Sequence, residues 1–354
     1  MIYLDHASTT KLSPKVKQTI IDNLDLFGNP SNETPLGKEV KNKIEIAREK
    51  VAKAINAKPQ NIIFTSGASE ANNWVFNNFE NVTTSNVEHS SIFNTTDNSK
   101  TKVDILFLEN FNDCLKSVDL LSLMYVNNEL GEIYNIKSLV KSAKRQGVFC
   151  HSDCTQAIGN IKVDVEDLGV DFISFSGHKF HAPKGVGVLY ARDTNILKPF
   201  IHGGKQEFGL RGGTENTLGI IAMGEAIEEA VENLKAKQEH CRKLKNETIR
   251  QLMINGVDFI VNGEYTINSI LNISIRDIDA QCLSNYLSMN DIYIATGSAC
   301  ESGMSHVIKN LADKNIIPKE YVYGTIRISY DLENTIEDIH KLVENINNFI
   351  KLTR

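Results

Sequence analysis

Short apolar runs alternate with segments of helical periodicity through the first 190 residues of this chain. Such alternation is typical of βα units, in which successive strands lie parallel in one sheet and the helices cover its faces. It predicts an α/β fold with a mainly parallel, mixed sheet between helices. The strand-like runs are 62–64, 103–108, 122–126, 148–153, 172–175 and 186–190.

The pattern changes after a long helical stretch over 217–254. The chain beyond it predicts a smaller α+β unit that closes with a helix from about residue 335. We therefore expect a large domain over 13–255 and a small domain over 256–354, to which residues 1–12 also belong. The strand-like runs of the small domain lie near 270–275, 292–295 and 325–329.

The composition argues against several classes of protein. Of the 354 residues, 41% are hydrophobic and 23% are charged, as in an ordinary globular protein with a sizeable core. A net charge of −6 argues against a nucleic-acid-binding body, and no apolar run is long enough to span a bilayer. The first residues lack the pattern of a signal peptide, and the six cysteines show no regular pairing. We expect a cytoplasmic protein with no direct nucleic-acid or membrane partner.

One group of residues has the composition of a metal site. Cys150 and Cys154 flank His151 and Asp153, and all of these residue types bind zinc. No second ligand pair follows at the spacing of a zinc site, and the cysteines fall in a strand pattern. The sequence therefore predicts no metal site.

A lysine and an aspartate each follow an apolar, strand-like run. Lys179 comes after the run 172–175, and Asp153 ends the run 148–153. A pyridoxal phosphate enzyme needs this pair, because the amine forms a Schiff base with the aldehyde and the carboxylate keeps the pyridine nitrogen protonated. Lys184 lies in a turn between a proline and a glycine and is the weaker choice. Taken alone, either lysine also fits an ordinary surface position.

A phosphate-binding turn is indicated by the segment 64–70, which reads as a strand, a small-residue turn and the start of a helix. Backbone N–H groups at such a helix start attract a phosphate. Ser176 and His178 add a hydroxyl and an imidazole to the same region. On its own the segment also fits a plain βα turn.

Further polar residues follow strand-like segments: His89, the pair Asn127 and Asn128, and Gln156. A histidine offers a flat imidazole that stacks on a pyridine ring and moves protons. An amide donates a hydrogen bond to a ring oxygen. Ligands of open α/β sheets bind at the carboxyl ends of the strands, which is where all these residues fall. Each signal also has an ordinary structural interpretation, and their convergence favours a cofactor site.

The chain resembles the NifS/IscS-type cysteine desulfurases, which belong to the class V aminotransferase group of fold-type-I pyridoxal phosphate enzymes. The resemblance runs over nearly the whole length, with the motifs in family order. These motifs are YLDHASTT at 3–10, GNPS at 28–31, the FTSGATEANN-like run at 64–73, VEH at 87–89, VNNELG at 126–131, DCTQ at 153–156, the stretch 202–214, and GSAC at 297–300.

The resemblance implies the residues that hold pyridoxal phosphate. Lys179 would be the Schiff-base lysine, Asp153 the pyridinium partner and His89 the stacking and catalytic imidazole. The remaining groups would contact the ring oxygen or the phosphate. Asn128 and Gln156 would contact the oxygen; Ala68, Ser69, Ser176 and His178 would hold the phosphate; and Thr214 would reach the phosphate of the other subunit's cofactor, which implies a homodimer.

The resemblance also implies the reaction. Arg327, with Asn128, would bind the carboxylate of L-cysteine, since a guanidinium donates two hydrogen bonds to a planar anion. Cys300 would attack the sulfur as a thiolate, giving L-alanine and a persulfide on the enzyme. The sulfur would pass to an acceptor protein for iron–sulfur cluster assembly or tRNA thiolation. Glu301 departs from the family pattern, and its carboxylate would raise the pKa of the neighbouring thiol.

Two other interpretations stay open from the sequence. A selenocysteine lyase, or a related pyridoxal phosphate-dependent lyase or aminotransferase, would keep Lys179 and Asp153 without depending on Cys300. A catalytically weak paralogue would use the same fold to bind a partner.

Overall fold

The computed structural model describes residues 1–95, 102–106, 115, 117–296 and 305–353. Its strands, in chain order, are β1 (Ile2–Tyr3), β2 (Ile62–Thr65), β3 (Asn81–Ser85), β4 (Lys102–Leu106), β5 (Leu120–Ser122), β6 (Phe149–Asp153), β7 (Phe172–Ser176), β8 (Gly187–Ala191), β9 (Phe259–Asn262), β10 (Ile270–Ile275), β11 (Ile292–Tyr293), β12 (Ala295–Thr296) and β13 (Thr325–Ser329).

The helices begin with a proline or a polar cap in several cases. Helices α1 and α2, for example, have proline at the first position, after the hydroxyl caps Ser13 and Thr34. The helices are α1 (Pro14–Asp22), α2 (Pro35–Ala54), α3 (Ala68–Asn77), α4 (Ser90–Phe93), α5 (Ile136–Arg145), α6 (Val165–Leu168), α7 (Thr217–Glu232), α8 (Leu234–Ile254), α9 (Ala280–Met289), α10 (His306–Asp313), α11 (Lys319–Val322) and α12 (Ile336–Thr353).

The chain divides into two compact units. The larger unit comprises residues 10–126 and 134–233, and the smaller comprises Met1–Thr9, Asn127–Ile133 and Leu234–Arg354. Helix α8 groups with the smaller unit, whereas the domain boundary predicted from the sequence lies after this helix, near residue 256. That boundary stays a prediction.

The larger unit is built on a seven-stranded sheet in the order β2-β8-β7-β6-β5-β3-β4. The strands β7, β6, β5, β3 and β4 run parallel, and β8 is antiparallel to both of its neighbours. Every residue of β7 and β8 is buried, as expected of strands covered on both faces. The α/β fold with a mixed, mainly parallel sheet is confirmed.

The smaller unit is an α+β arrangement. Strands β12, β13, β10 and β9 form an antiparallel sheet, and β1 pairs in parallel with β11. Its core packs Ile273 and Ile326 of the sheet with Leu283 of α9 and Ile346 of α12. In the described part of the chain, no helix is both long and apolar enough to cross a membrane.

A buried ion pair ties α2 to the loop that precedes α7. Arg48 lies among the buried residues of α2 and donates from both terminal nitrogens to the carboxylate of Glu207, each at 2.8 Å. The same carboxylate accepts a hydrogen bond from the Phe64 amide of β2 at 2.8 Å. Glu207 and Phe208 both have positive φ angles, 45° and 62°, which residues other than glycine rarely adopt. The ion pair therefore fixes a backbone that would otherwise relax.

Replacing Glu207 with glutamine should destabilise the larger unit by about 3 kcal/mol, because Arg48 would keep its buried charge and lose its buried counter-ion. The free energy of unfolding from urea titration measures the loss. Glu45→Gln is the matched control: Glu45 pairs with the same arginine from a side chain that is 44% exposed, and its loss should stay below about 1 kcal/mol. Equal losses from the two variants would contradict the role given to the buried pair.

Candidate active site

The sheet brings the predicted lysine and aspartate to the carboxyl ends of two adjacent strands. Asp153 is the last residue of β6, and Ser176 is the last residue of β7. A single 3-10 turn over Gly177–Lys179 follows β7 directly, and Lys179 is the last residue of this turn. Its side chain is half-buried. The register pairs Asp153 with Ser174 across the two strands. The carboxyl ends of parallel strands lie at the same edge of a sheet, so residues that are distant in the sequence meet here.

The carboxylate of Asp153 is buried and held by neutral donors. The side-chain amide of Asn72, on α3, donates from Nδ2 to Oδ2 at 2.9 Å. The backbone N–H of Thr155 donates to Oδ1, also at 2.9 Å. Neither donor carries a charge, so the site suits a cationic partner such as a protonated pyridine nitrogen.

The turn between β2 and α3 is packed tightly enough to require glycine. A Cβ on Gly187 of β8 would lie 2.5 Å from the Cα of Gly67, so only glycine permits this approach. Helix α3 begins at Ala68, whose N–H donates to Ser176 Oγ at 2.7 Å. Ser69 is exposed in the first turn of the helix. The start of α3 therefore offers N–H groups and hydroxyls together, as a phosphate requires.

Two histidines lie close to Lys179, and both favour the neutral form. His89 caps α4, and its Nδ1 accepts from the Ser91 N–H at 3.1 Å, so that its proton is carried on Nε2. His89 is exposed to solvent, yet surrounding atoms lower its pKa by desolvation, against the opposing effect of Asp153. Burial and the charge of Lys179 lower the pKa of His178 to about 4.

Gln156 and Thr214 occupy different surroundings in the larger unit. Gln156 is buried in the turn after β6. Thr214 is exposed on the segment before α7, where Arg211 donates to both carboxylate oxygens of Glu70 at 3.0 and 3.2 Å. The Glu70 carboxylate also accepts from the Ser66 N–H, which ties this segment to the turn at the start of α3.

The predicted substrate-binding residues belong to the smaller unit. Arg327 of β13 donates from Nη1 to the Asn128 carbonyl at 2.7 Å. From Nη2 it donates to Asp5 Oδ1 at 2.7 Å and to Ser8 Oγ at 2.6 Å. Three of the five guanidinium N–H groups are thus held by the chain itself, which fixes the plane of the side chain. Cys300, the predicted nucleophile, lies outside the described residues.

Comparison with known proteins identifies the family. The sequence profile described as Aminotransferase class-V matches residues 2–342. The protein named cysteine desulfurase IscS of Dictyoglomus turgidum is 36% identical over 379 aligned residues, which cover 100% of this chain and 95% of that protein. The chain belongs to the cysteine desulfurase branch of the class-V aminotransferase family.

Solved structures similar to this chain agree with the fold. A NifS-like protein superposes with a TM-score of 0.92 at 31% identity, and 99% of each chain is covered. The structure titled "SspA in complex with cysteine" superposes with a TM-score of 0.79 at 28% identity, covering 95% of this chain and 100% of that one. Enzymes of the class-V aminotransferase family depend on pyridoxal phosphate.

The larger unit fits this cofactor on its own geometry. A buried carboxylate with neutral donors suits the pyridine nitrogen, and a helix start packed on two glycines suits the phosphate. Lys179 leaves the strand next to that of Asp153, within electrostatic reach of His89. The roles of the individual residues stay predictions.

Sequence reasoning missed Asn72 and Asp5, which contact the predicted site residues. Asparagine is a poor residue for a helix interior, yet Asn72 is fully buried within α3. A buried asparagine on the apolar stripe of a helix is a signal of a specific polar contact. Asp5 lies in the opening motif but gives no sign in the sequence of pairing with a residue more than 300 positions away.

A buried glutamate next to His89 makes the stability of the larger unit depend on pH. Glu88 accepts from Ser85 Oγ at 2.6 Å and from the Met124 N–H at 2.9 Å, and burial raises its pKa to about 8. The folded chain therefore keeps this proton up to a pH of about 8, whereas the unfolded chain releases it near 4.5. Unfolding releases a proton between these values, so the contribution of Glu88 to stability is lost as the pH rises.

Glu88→Gln should remove this loss, because glutamine keeps the accepting oxygen and cannot ionise. Its free energy of unfolding should match that of the wild type near pH 5 and exceed it increasingly up to about pH 8. Urea titrations across this range measure the difference, with Glu39→Gln on the exposed side of α2 as control. A constant difference at all pH values would refute the assignment.

Proposed function

We propose that this chain is a pyridoxal phosphate-dependent cysteine desulfurase, which converts L-cysteine to L-alanine and holds the sulfur as a persulfide on Cys300. The observation that carries the proposal is the gathering of Asp153, Lys179 and His89 in the larger unit, in a chain with full-length similarity to cysteine desulfurases.

The cofactor would be held at both of its polar ends. Asp153 would accept the proton of the pyridine nitrogen, and the first turn of α3 would bind the phosphate through Ala68 and Ser69. Ser176 and His178 would complete the phosphate contacts from the end of β7. Gln156 and Asn128 would contact the ring oxygen, as the family resemblance implies. The bound cofactor supplies an electron sink for negative charge at the substrate's α-carbon.

Lys179 and His89 would handle protons. The Lys179 amine, once free of the cofactor, removes the proton from the substrate's α-carbon and returns it during turnover. His89 carries a hydrogen on Nε2 and accepts from Ser91 at Nδ1, so its ring is held in one tautomer and orientation. A neutral imidazole is suited to stack on the pyridine face without repelling the charge on Lys179.

The substrate would be recognised by its carboxylate in the smaller unit. Arg327 has its guanidinium plane fixed by Asn128 and Asp5, which reduces the entropy lost when a carboxylate binds. The similarity to a structure titled as a complex with cysteine supports L-cysteine as the substrate.

The sulfur step needs no external oxidant, because the electron pair of the broken C–S bond stays on the carbon of the substrate. The Cys300 thiolate attacks the sulfur of the substrate; the S–S bond forms while the C–S bond breaks, and the carbon keeps the electron pair. That carbon then takes a proton and becomes the methyl group of alanine. The sulfur of cysteine leaves as the outer atom of a persulfide on Cys300, ready for a nucleophilic acceptor.

We further infer a homodimer in the cytoplasm that delivers sulfur to an acceptor protein, for iron–sulfur cluster assembly or tRNA thiolation. Thr214 is exposed on a segment held by Arg211 and Glu70, an arrangement suited to reaching a partner's cofactor phosphate. The family resemblance is what assigns it that role.

Cys300→Ala should abolish alanine and sulfide formation from L-cysteine in the presence of a reductant, because no thiolate remains to take the sulfur. The variant should still bind pyridoxal phosphate and show its visible absorbance. Cys282→Ala is the matched control, since Cys282 is an exposed thiol on α9, and it should retain wild-type turnover.

Intact-protein mass spectrometry gives a second measurement on the same variants. Wild type and Cys282→Ala should gain one sulfur atom after cysteine is added without reductant, and Cys300→Ala should not. Full activity in Cys300→Ala would overturn the persulfide mechanism and favour a lyase that eliminates without covalent capture of sulfur.

Lys179→Ala should prevent covalent retention of the cofactor. After borohydride reduction the wild-type chain should keep pyridoxal phosphate through denaturation, whereas the variant should lose it. Lys184 lies in the next turn, and the variant Lys184→Ala should retain the label as the wild type does. If Lys184→Ala lost the label and Lys179→Ala kept it, the assignment of the lysine would be wrong.

A further inference from the structure

A chain of buried hydrogen bonds runs from β5 through β6 and β7 to Asn72 of α3 and ends at the Asp153 carboxylate. Ser122 of β5 lies 2.8 Å from His151 Nδ1, and His151 Nε2 lies 3.1 Å from Ser174 Oγ. Ser174 donates to Asn72 Oδ1, and Asn72 Nδ2 donates to Asp153 at 2.9 Å. Each of these residues is at most 4% exposed. The mechanism proposed above uses only the last of them.

The acceptor at one end fixes the direction of every hydrogen bond in the chain. Both oxygens of Asp153 accept hydrogen bonds, and the Asn72 amide presents its nitrogen to Asp153 and its oxygen to Ser174. The Ser174 hydroxyl must then donate to that oxygen and accept from His151. His151 therefore carries its hydrogen on Nε2 and accepts at Nδ1 from Ser122. This order requires a neutral imidazole, and burial lowers the pKa of His151 to about 4.

Asn72 also reaches the second predicted cofactor contact. The two hydrogens on its Nδ2 are shared between Asp153 Oδ2 and Ser91 Oγ, each at 2.9 Å. Ser91 in turn lies at 2.9 Å from His89 Nδ1 through its hydroxyl. One amide group therefore holds both Asp153 and, through Ser91, His89.

An amide can turn by half a rotation within nearly the same volume, and only its hydrogen-bond partners decide which way it lies. If the Asn72 amide turned, its oxygen would face the Asp153 carboxylate and repel it, and Ser91 would lose its donor. In that orientation the Asn72 amino group would face the hydroxyl hydrogen of Ser174, and two donors repel each other. His151 keeps the hydroxyl hydrogen directed at Asn72 by occupying the oxygen of Ser174 from the other side.

We propose that Ser174 and His151 are positioning residues of the cofactor site: they orient the Asn72 amide so that it holds the Asp153 carboxylate and, through Ser91, the His89 ring. The proposal rests on the proposed function, because it takes Asp153 and His89 as cofactor contacts.

The test uses the affinity of the apoprotein for pyridoxal phosphate, followed through the fluorescence of Trp74, the sole tryptophan of the chain, which lies on α3. Ser174→Ala should weaken binding by about tenfold, equivalent to about 1.4 kcal/mol. It should also change the visible circular dichroism of the bound cofactor, which reports the cofactor's orientation. His151→Phe should weaken binding less, because the Ser174 hydroxyl remains.

His151→Gln is the conservative variant, since its amide can donate to Ser174 and accept from Ser122. It should restore most of the affinity lost in His151→Phe. Thr83→Val is the matched control: it removes a fully buried hydroxyl from β3 of the same sheet, one for which the described residues offer no hydrogen-bond partner. Its affinity should equal that of the wild type. The His151 pair keeps the test decisive if Ser174→Ala fails to fold.

The outcomes separate the two proposals. If Asp153→Asn weakens binding while Ser174→Ala and His151→Phe bind as wild type, the positioning role is wrong and the cofactor site stands. If Asp153→Asn itself binds as wild type, the proposed site fails and the positioning role falls with it. A loss in Thr83→Val equal to that in Ser174→Ala, or a lower melting temperature of Ser174→Ala with unchanged affinity, would also overturn the positioning role.

Discussion

A carboxylate removed from water must be met by hydrogen-bond donors or by positive charge, and Asp153 is only 4% exposed. The larger unit meets this requirement with neutral donors, the Asn72 amide and the Thr155 backbone. Such a carboxylate suits a cationic ring nitrogen, which is the role that we propose for Asp153.

Other features of the larger unit serve the same edge of the sheet. Gly67, which precedes α3, packs closely against Gly187, and Ser176 accepts a hydrogen bond from the first N–H of the helix. The buried Arg48–Glu207 pair holds the strained backbone that leads towards Thr214. These contacts join elements far apart in the sequence, so the site depends on the packing of the whole unit rather than on one loop.

Much of the fold could be predicted from the sequence. The alternation of apolar runs with helical segments predicts the mainly parallel sheet, because a parallel strand needs a crossover before the next. The location of Lys179 and Asp153 at one edge of the sheet could be predicted, since both follow apolar runs whose carboxyl ends must share that edge. The grouping of α8 with the smaller unit could not be read in this way, because a helix pattern shows which face is apolar but not which core it covers.

The sequence by itself determined the fold class, the family and the residue types at the strand ends. Only the tertiary structure decided which polar groups meet. Asn72 donates to Asp153 and accepts from Ser174, which in turn is hydrogen-bonded to His151. Asp5 pairs with Arg327. The physical reason is the range of the interactions. Periodicity and turn chemistry act between near neighbours in the chain, whereas a buried hydrogen bond depends on distances of about 3 Å between residues that only packing brings together.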